Sequence, residues 1–92
     1  MAENMKLPAR LDLSAAQQLV QDLADKDLSA GIEFDAEEVT HMGALCVQVL
    51  IAASRAAQDA GGQVSLGNVS ERVDQQLASL GLTKEAVMEG AR

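Results

Sequence analysis

Ile32, Glu33, Phe34 and Asp35 alternate apolar and acidic, the two-residue period of a strand with one face buried. After a polar break the chain becomes a long, almost uncharged run rich in Ala, Leu and Val. This run is too long for a strand and predicts a helix from about Gly43 to Ala60, closed by the Gly61-Gly62 pair. Between strand and helix lies the junction Val39-Thr40-His41-Met42-Gly43-Ala44-Leu45, where N–H groups at the helix start face solvent or a partner. Function is expected at this junction.

Elsewhere the pattern is simpler. Met5, Lys6, Leu7 and Pro8 alternate like a short strand over 5–8, with Pro8 tolerated at its end. Ser14-Ala15-Ala16-Gln17 fits a capping box and predicts a helix starting at Ser14. Ala16, Leu19, Val20 and Leu23 form its dry face, opposite Gln17, Gln18, Gln21 and Asp25. Asp27 to Gly31 connects it to the next strand. In the long helix Leu45, Val49, Ala53 and Ala56 share one side with Cys46, Leu50 and Ala57. Gln48, Arg55, Gln58 and Asp59 mark the other side, with Ala44, Val47 and Ile51 among them. Those three either touch a neighbouring helix or form an exposed apolar strip beside the junction.

Gln63-Val64-Ser65-Leu66 predicts a third strand and Gly67-Asn68-Val69 a turn. Ser70 caps a third helix carrying Val73, Leu77 and Leu80 inward, with Gly81-Leu82 as its stop. Residues 83–92 predict one more short helix anchored by Val87 and Met88, with a frayed end. The order strand, helix, strand, helix, strand, helix is that of an α/β domain. It predicts a mostly parallel or mixed sheet of three or four strands with crossover helices, one domain over 1–92.

Composition narrows the function. A chain of 92 residues buries roughly 60–65% of its surface on folding. A net charge of −7 and a single aromatic, Phe34, argue against nucleic acid, which needs a basic patch or stacking rings. Apolar runs are too short to span a membrane: the 44–53 segment already carries Gln48. Met1-Ala2-Glu3-Asn4 does not read as a secretory signal, and one cysteine makes no internal disulfide, so a cytoplasmic protein is expected. One His and one Cys give no expectation of a metal, and no cofactor is expected. His41 reads as a loop histidine and Cys46 as a small hydrophobe, without the third group that would activate a nucleophile. Enzyme is the weaker reading.

Several short motifs then carry a resemblance. They are Phe34-Asp35, Val39-Thr40, Val49-Leu50-Ile51-Ala52-Ala53, Ala60-Gly61-Gly62-Gln63-Val64-Ser65-Leu66, Asn68-Val69-Ser70 and Leu80-Gly81-Leu82, preceded by Arg10-Leu11-Asp12. From Phe34 to Leu82 the chain resembles a STAS domain, the module shared by sulfate transporters and anti-sigma-factor antagonists. The resemblance implies a small mixed sheet with helices packed on one side, entered late and without the family's usual first strand. Antagonists of the family carry Asp-Ser-Ser-Gly at the junction, and a partner kinase phosphorylates the second serine. In the ungapped match Gly43, Ala44, Leu45 and Cys46 stand there, with Leu45 at the acceptor position; a shift of two residues puts Gly43 there instead.

Neither residue has a hydroxyl. The resemblance therefore implies a bacterial protein-interaction module that docks without the usual serine switch. Thr40 reads first as a solvated turn residue, and its place at the junction makes phosphorylation there the minor alternative. Its docking surface is expected at Thr40, His41, Gly43, Ala44, Val47 and Gln48. The implied partners are an anti-sigma, histidine-kinase-like ATPase or a chemotaxis regulator; related proteins are subunits of lipid-transport ABC systems. The alternative is a small-ligand binder holding an anion at the helix N-terminus near His41 and Cys46.

Overall fold

The main sheet is all parallel and built from β1 (Glu3–Lys6), β3 (Ile32–Asp35) and β5 (Val64–Gly67), with β3 in the centre. The structure, a computed structural model, describes residues 3–90. Register puts Met5, Phe34 and Leu66 side by side, with Ile32 beside Val64. Met5, Ile32, Phe34 and Leu66 are buried, while Asn4, Glu33 and Ser65, one residue out of phase, are exposed. One face is therefore core and the other wet, the consequence of a two-residue period.

The 5–8 expectation lies two residues late, because Pro8 has no N–H to pair; the last ladder bond on this side runs from Leu7 N–H to the Asp35 carbonyl at 2.9 Å. Beside the main sheet is a second, two-stranded parallel pair that the sequence pattern does not announce. It joins β2 (Arg10–Leu11) to β4 (His41–Met42).

Helices follow the strands. α1 (Leu13–Ala24) starts two residues after β1 and β2 have been laid down, α2 (Ala44–Asp59) starts directly after β4, α3 (Glu71–Ser79) follows β5, and α4 (Lys84–Met88) ends the described chain. A short 3-10 turn, Leu28–Ala30, leads into β3. The cap of α1 is Asp12 and not Ser14: the Asp12 carboxylate accepts from Ala15 N–H at 3.2 Å and from the Ser14 hydroxyl at 2.8 Å. A carboxylate two residues earlier outcompetes the serine, which becomes a donor to it. Ser70 caps α3 as expected, accepting from Val73 N–H at 3.2 Å.

α2 ends as the glycine pair requires. Gly61 takes φ +92°, its N–H reaches the Gln58 carbonyl at 3.0 Å, and Gly62 N–H reaches Ala57 at 2.8 Å. The same double closure ends α3 at Gly81 and Leu82. The expected frayed end at residues 91–92 lies outside the described residues.

α2 lies at the centre, packed against α1, α4, the 3-10 turn and β5. Its buried residues are Cys46, Val47, Leu50, Ile51, Ala53, Ser54 and Ala57. Val47 and Ile51 therefore make the neighbour contact, and no exposed Val47–Ile51 strip exists. Leu45 instead faces out, as do Val20 on α1 and Leu80 at the end of α3, each expected inward. A helix apolar over most of its girth has no period to fix its rotation; the elements packed around it decide.

Candidate functional site

The junction is stitched from both sides. Just before β2, the Ala9 carbonyl accepts from Thr40 N–H at 2.8 Å, His41 N–H at 3.2 Å and the Thr40 hydroxyl at 3.1 Å. The Leu11 carbonyl accepts from Gly43 N–H at 2.8 Å. From α3, the Gln76 side-chain oxygen accepts from Met42 N–H at 2.6 Å, and its amide nitrogen donates to the Thr40 carbonyl at 3.3 Å. The backbone that delivers α2 is thus fixed by β2 on one edge and by a side chain on the other.

Gly43 is the N-cap of α2, in extended backbone with φ −75° and ψ 154°. A Cβ built there would lie 2.7 Å from the Leu11 carbonyl oxygen, so the close approach Gly43 permits is internal, between β2 and the start of α2, and is not available to a partner. The cap offers no side-chain acceptor, and the first turn of α2 holds no acidic residue. By contrast, side chains of Asp12, Asp27, Ser70 and Thr83 cap the other helical segments.

The other expected site residues separate into two sets. Thr40, His41, Ala44 and Gln48 are exposed, whereas Val47 is 1% exposed and lies beneath the surface as a packing residue. Burial removes Val47 from any docking surface. Leu45 takes its place at 48% exposure, and with Val49 it faces Ala16, Gln17, Val20 and Gln21 of α1 across a groove of about 510 Å³. Leu13, seven residues before Val20 and so on the same α1 face, is 75% exposed. Spacing alone places Val20 in the core, whereas it is 52% exposed, so this apolar patch is not legible in the sequence.

His41 and Cys46 do not form a working pair. His41 is exposed; Cys46 is fully buried, and its thiol donates to the Asp12 backbone carbonyl at 3.3 Å. Burial, and then the Asp12 charge, push the thiol's pKa up, so at neutral pH it is a protonated hydrophobe. No group of three or more His, Cys, Asp or Glu side chains able to hold a metal occurs among the described residues. No described helix is long and apolar enough to cross a membrane.

Fold and junction together define a small α/β domain with its helices banked on one face of a parallel sheet. The family model described as "Mlab, STAS domain" matches residues 2–89, nearly the whole chain, and the protein belongs to that family. Searches of curated proteins and of solved structures give no significant match. STAS domains are in general interaction modules and not enzymes.

Proposed function

We propose that this protein is a non-enzymatic docking module of a bacterial cell, working on the cytoplasmic side and binding a protein partner at the groove between α1 and the start of α2. The observation that carries this reading is the position of its exposed hydrophobics. Of the four large ones among the described residues, Val20 and Leu45 line the groove between α1 and α2, and Leu13 shares the α1 face of Val20. An apolar groove flanked by Gln17 and Gln21 is the composition of an interaction surface. The net charge of −7 favours a partner with positive surroundings, which speeds encounter and disfavours self-association.

Two facts favour one partner over the others. Leu45 and Gly43 lack the hydroxyl of the serine switch, and the family description is Mlab and not anti-sigma antagonist. Both weigh toward STAS proteins that act as accessory subunits of lipid-transport ABC systems, with the ATPase subunit as the docking partner. An anti-sigma kinase or a chemotaxis regulator is the second choice. The experiment measures the affinity of the purified chain for the ATPase subunit of such a transporter and for an anti-sigma kinase, both from the same cell, and repeats it with Leu45→Glu. Binding to the ATPase that Leu45→Glu abolishes supports the reading. Binding to the kinase alone moves the protein to the signalling branch. Binding to neither refutes both partner assignments.

A further inference from the structure

We propose that Gln76 is a positioning residue of the junction: its side-chain amide stands where a third strand would lie beside β4 and fixes the backbone from which α2 starts. In a parallel ladder, a residue on one strand is flanked by the carbonyl before it and the N–H after it, and both pair with a single residue of the neighbouring strand. Around His41 those two groups are the Thr40 carbonyl and the Met42 N–H. The N–H groups of His41 and Gly43 point the other way, to the Ala9 and Leu11 carbonyls of the β2 segment. The outward pair meets Gln76, which donates to Thr40 at 3.3 Å and accepts from Met42 at 2.6 Å. One primary amide thus supplies the donor and the acceptor that a strand peptide would supply, with no strand present.

The placement of Gln76 is itself fixed. Val73 and Leu77, one on each side of it along α3, are fully or almost fully buried, which sets the rotation of the helix and leaves Gln76 at the edge of its buried face. Glutamine is the fitting residue there, because a primary amide carries both functions at one end. A carboxylate supplies only the acceptor and turns a second oxygen toward the Thr40 carbonyl. The exposed surface at Thr40, His41, Ala44 and Leu45 is carried on this backbone, so its shape depends on α3, which contributes no residue to the apolar patch. This extension rests on the docking reading above; the positional role itself does not.

The test uses three chains: wild type, Gln76→Met, which keeps the length and apolar stem but removes both hydrogen bonds, and Gln76→Glu, which keeps the acceptor. Amide exchange is followed at Met42, with Leu50 in the core as the internal control, alongside the melting temperature and affinity for the transporter ATPase subunit. Gln76→Met should speed exchange at Met42 by about tenfold or more, as expected for one lost hydrogen bond, without changing Leu50. Gln76→Glu should restore protection at Met42. Affinity should fall in Gln76→Met and recover partly in Gln76→Glu. Unchanged exchange at Met42 in Gln76→Met overturns the positioning role. Faster exchange with full affinity confines Gln76 to structure and overturns its link to docking. If the wild type does not bind the ATPase, the docking reading fails, and the exchange data alone still decide whether Gln76 holds the junction.

Discussion

The Gly43 N–H donates to the Leu11 carbonyl at 2.8 Å, and any Cβ on Gly43 would lie 2.7 Å from that same oxygen. Hydrogen bond and steric limit arise from one contact, and the start of α2 sits against β2 because this residue has no side chain. Gly43→Ser should therefore lower stability by roughly 1–3 kcal/mol, the usual cost of forcing atoms into a packed contact. Denaturant unfolding measures it. A stability equal to that of the wild type would show that β2 yields freely. The result bears on function as well, since a serine at 43 cannot be installed as a phosphoacceptor without displacing β2.

Leu45 and Val47 are two positions apart and should respond oppositely to charge. Leu45→Glu places a carboxylate on an exposed site in the first turn of α2, where negative charge is tolerated or favoured, and should change stability by less than about 0.5 kcal/mol. Ala44→Asp should behave the same way. Both should weaken partner binding by putting charge into the apolar contact. Val47→Glu instead buries an unpaired carboxylate and should cost about 3 kcal/mol or more. Melting curves and binding measured on all three variants check the contrast, which fails if Val47→Glu melts like the wild type.

Acid sensitivity follows from two carboxylates. Asp12 lies below the usual range chiefly through its hydrogen bond from Ser14, then that from Ala15 N–H. Asp35 is lowered first by Asn68, whose side-chain nitrogen is 3.0 Å away, then by the Glu37 N–H. A folded-state pKa below the unfolded one means that the unfolded chain takes up protons first as pH falls. The stability these groups contribute is complete above the ordinary carboxylate value of 3.8 and is lost as pH drops through the lowered pKa values. Asparagine still caps a helix but does not titrate. A chain carrying Asp12→Asn and Asp35→Asn should show a shallower acid limb in stability measured against pH, and an unchanged limb would assign it to other carboxylates.

Cys46 should react slowly with a thiol alkylating agent at neutral pH and quickly once the chain is denatured. Its thiol is buried, held to the Asp12 carbonyl and kept protonated by burial and by the Asp12 charge. Mass spectrometry over time checks this. Rapid native labelling would reopen the reading in which His41 and Cys46 hold a small ligand. Phosphate on Thr40 after incubation with the physiological kinase would likewise restore a switch at the junction.

Much of the architecture could be read from the chain, for reasons that differ by element. β3 and β5 show themselves because one face is wet, so the two-residue period survives in Glu33 and Ser65. Helix ends are legible where glycine or a hydroxyl does local work, as at Gly61, Ser70 and Gly81. The β2–β4 pair is not legible, since two residues per strand are too few to show a period, and its bonds join positions about thirty apart in sequence. The burial of Val47 and the exposure of Leu45 are not legible for a related reason. Val47 and Leu45 are both aliphatic, and only the packing of α1, α4 and the 3-10 turn around α2 distinguishes the covered residue from the open one. Gln76 carried no signal, because a polar residue on an amphipathic helix reads as solvated until its partners are seen.

The sheet's two borders are guarded in different ways. On the β5 side, the outward Leu66 N–H is occupied by the Met88 sulfur at 3.1 Å, and Gln58 holds the Met88 carbonyl at 2.9 Å, so α4 lies along that border. On the β1 side, among the described residues, the guard is electrostatic: Lys6 stands exposed at the strand's end, 3.8 Å from Glu38. Lysine at an open strand is a common deterrent to edge-to-edge growth. A helix shields one border and a charge the other, so neutralising Lys6 leaves the β1 border without its electrostatic guard.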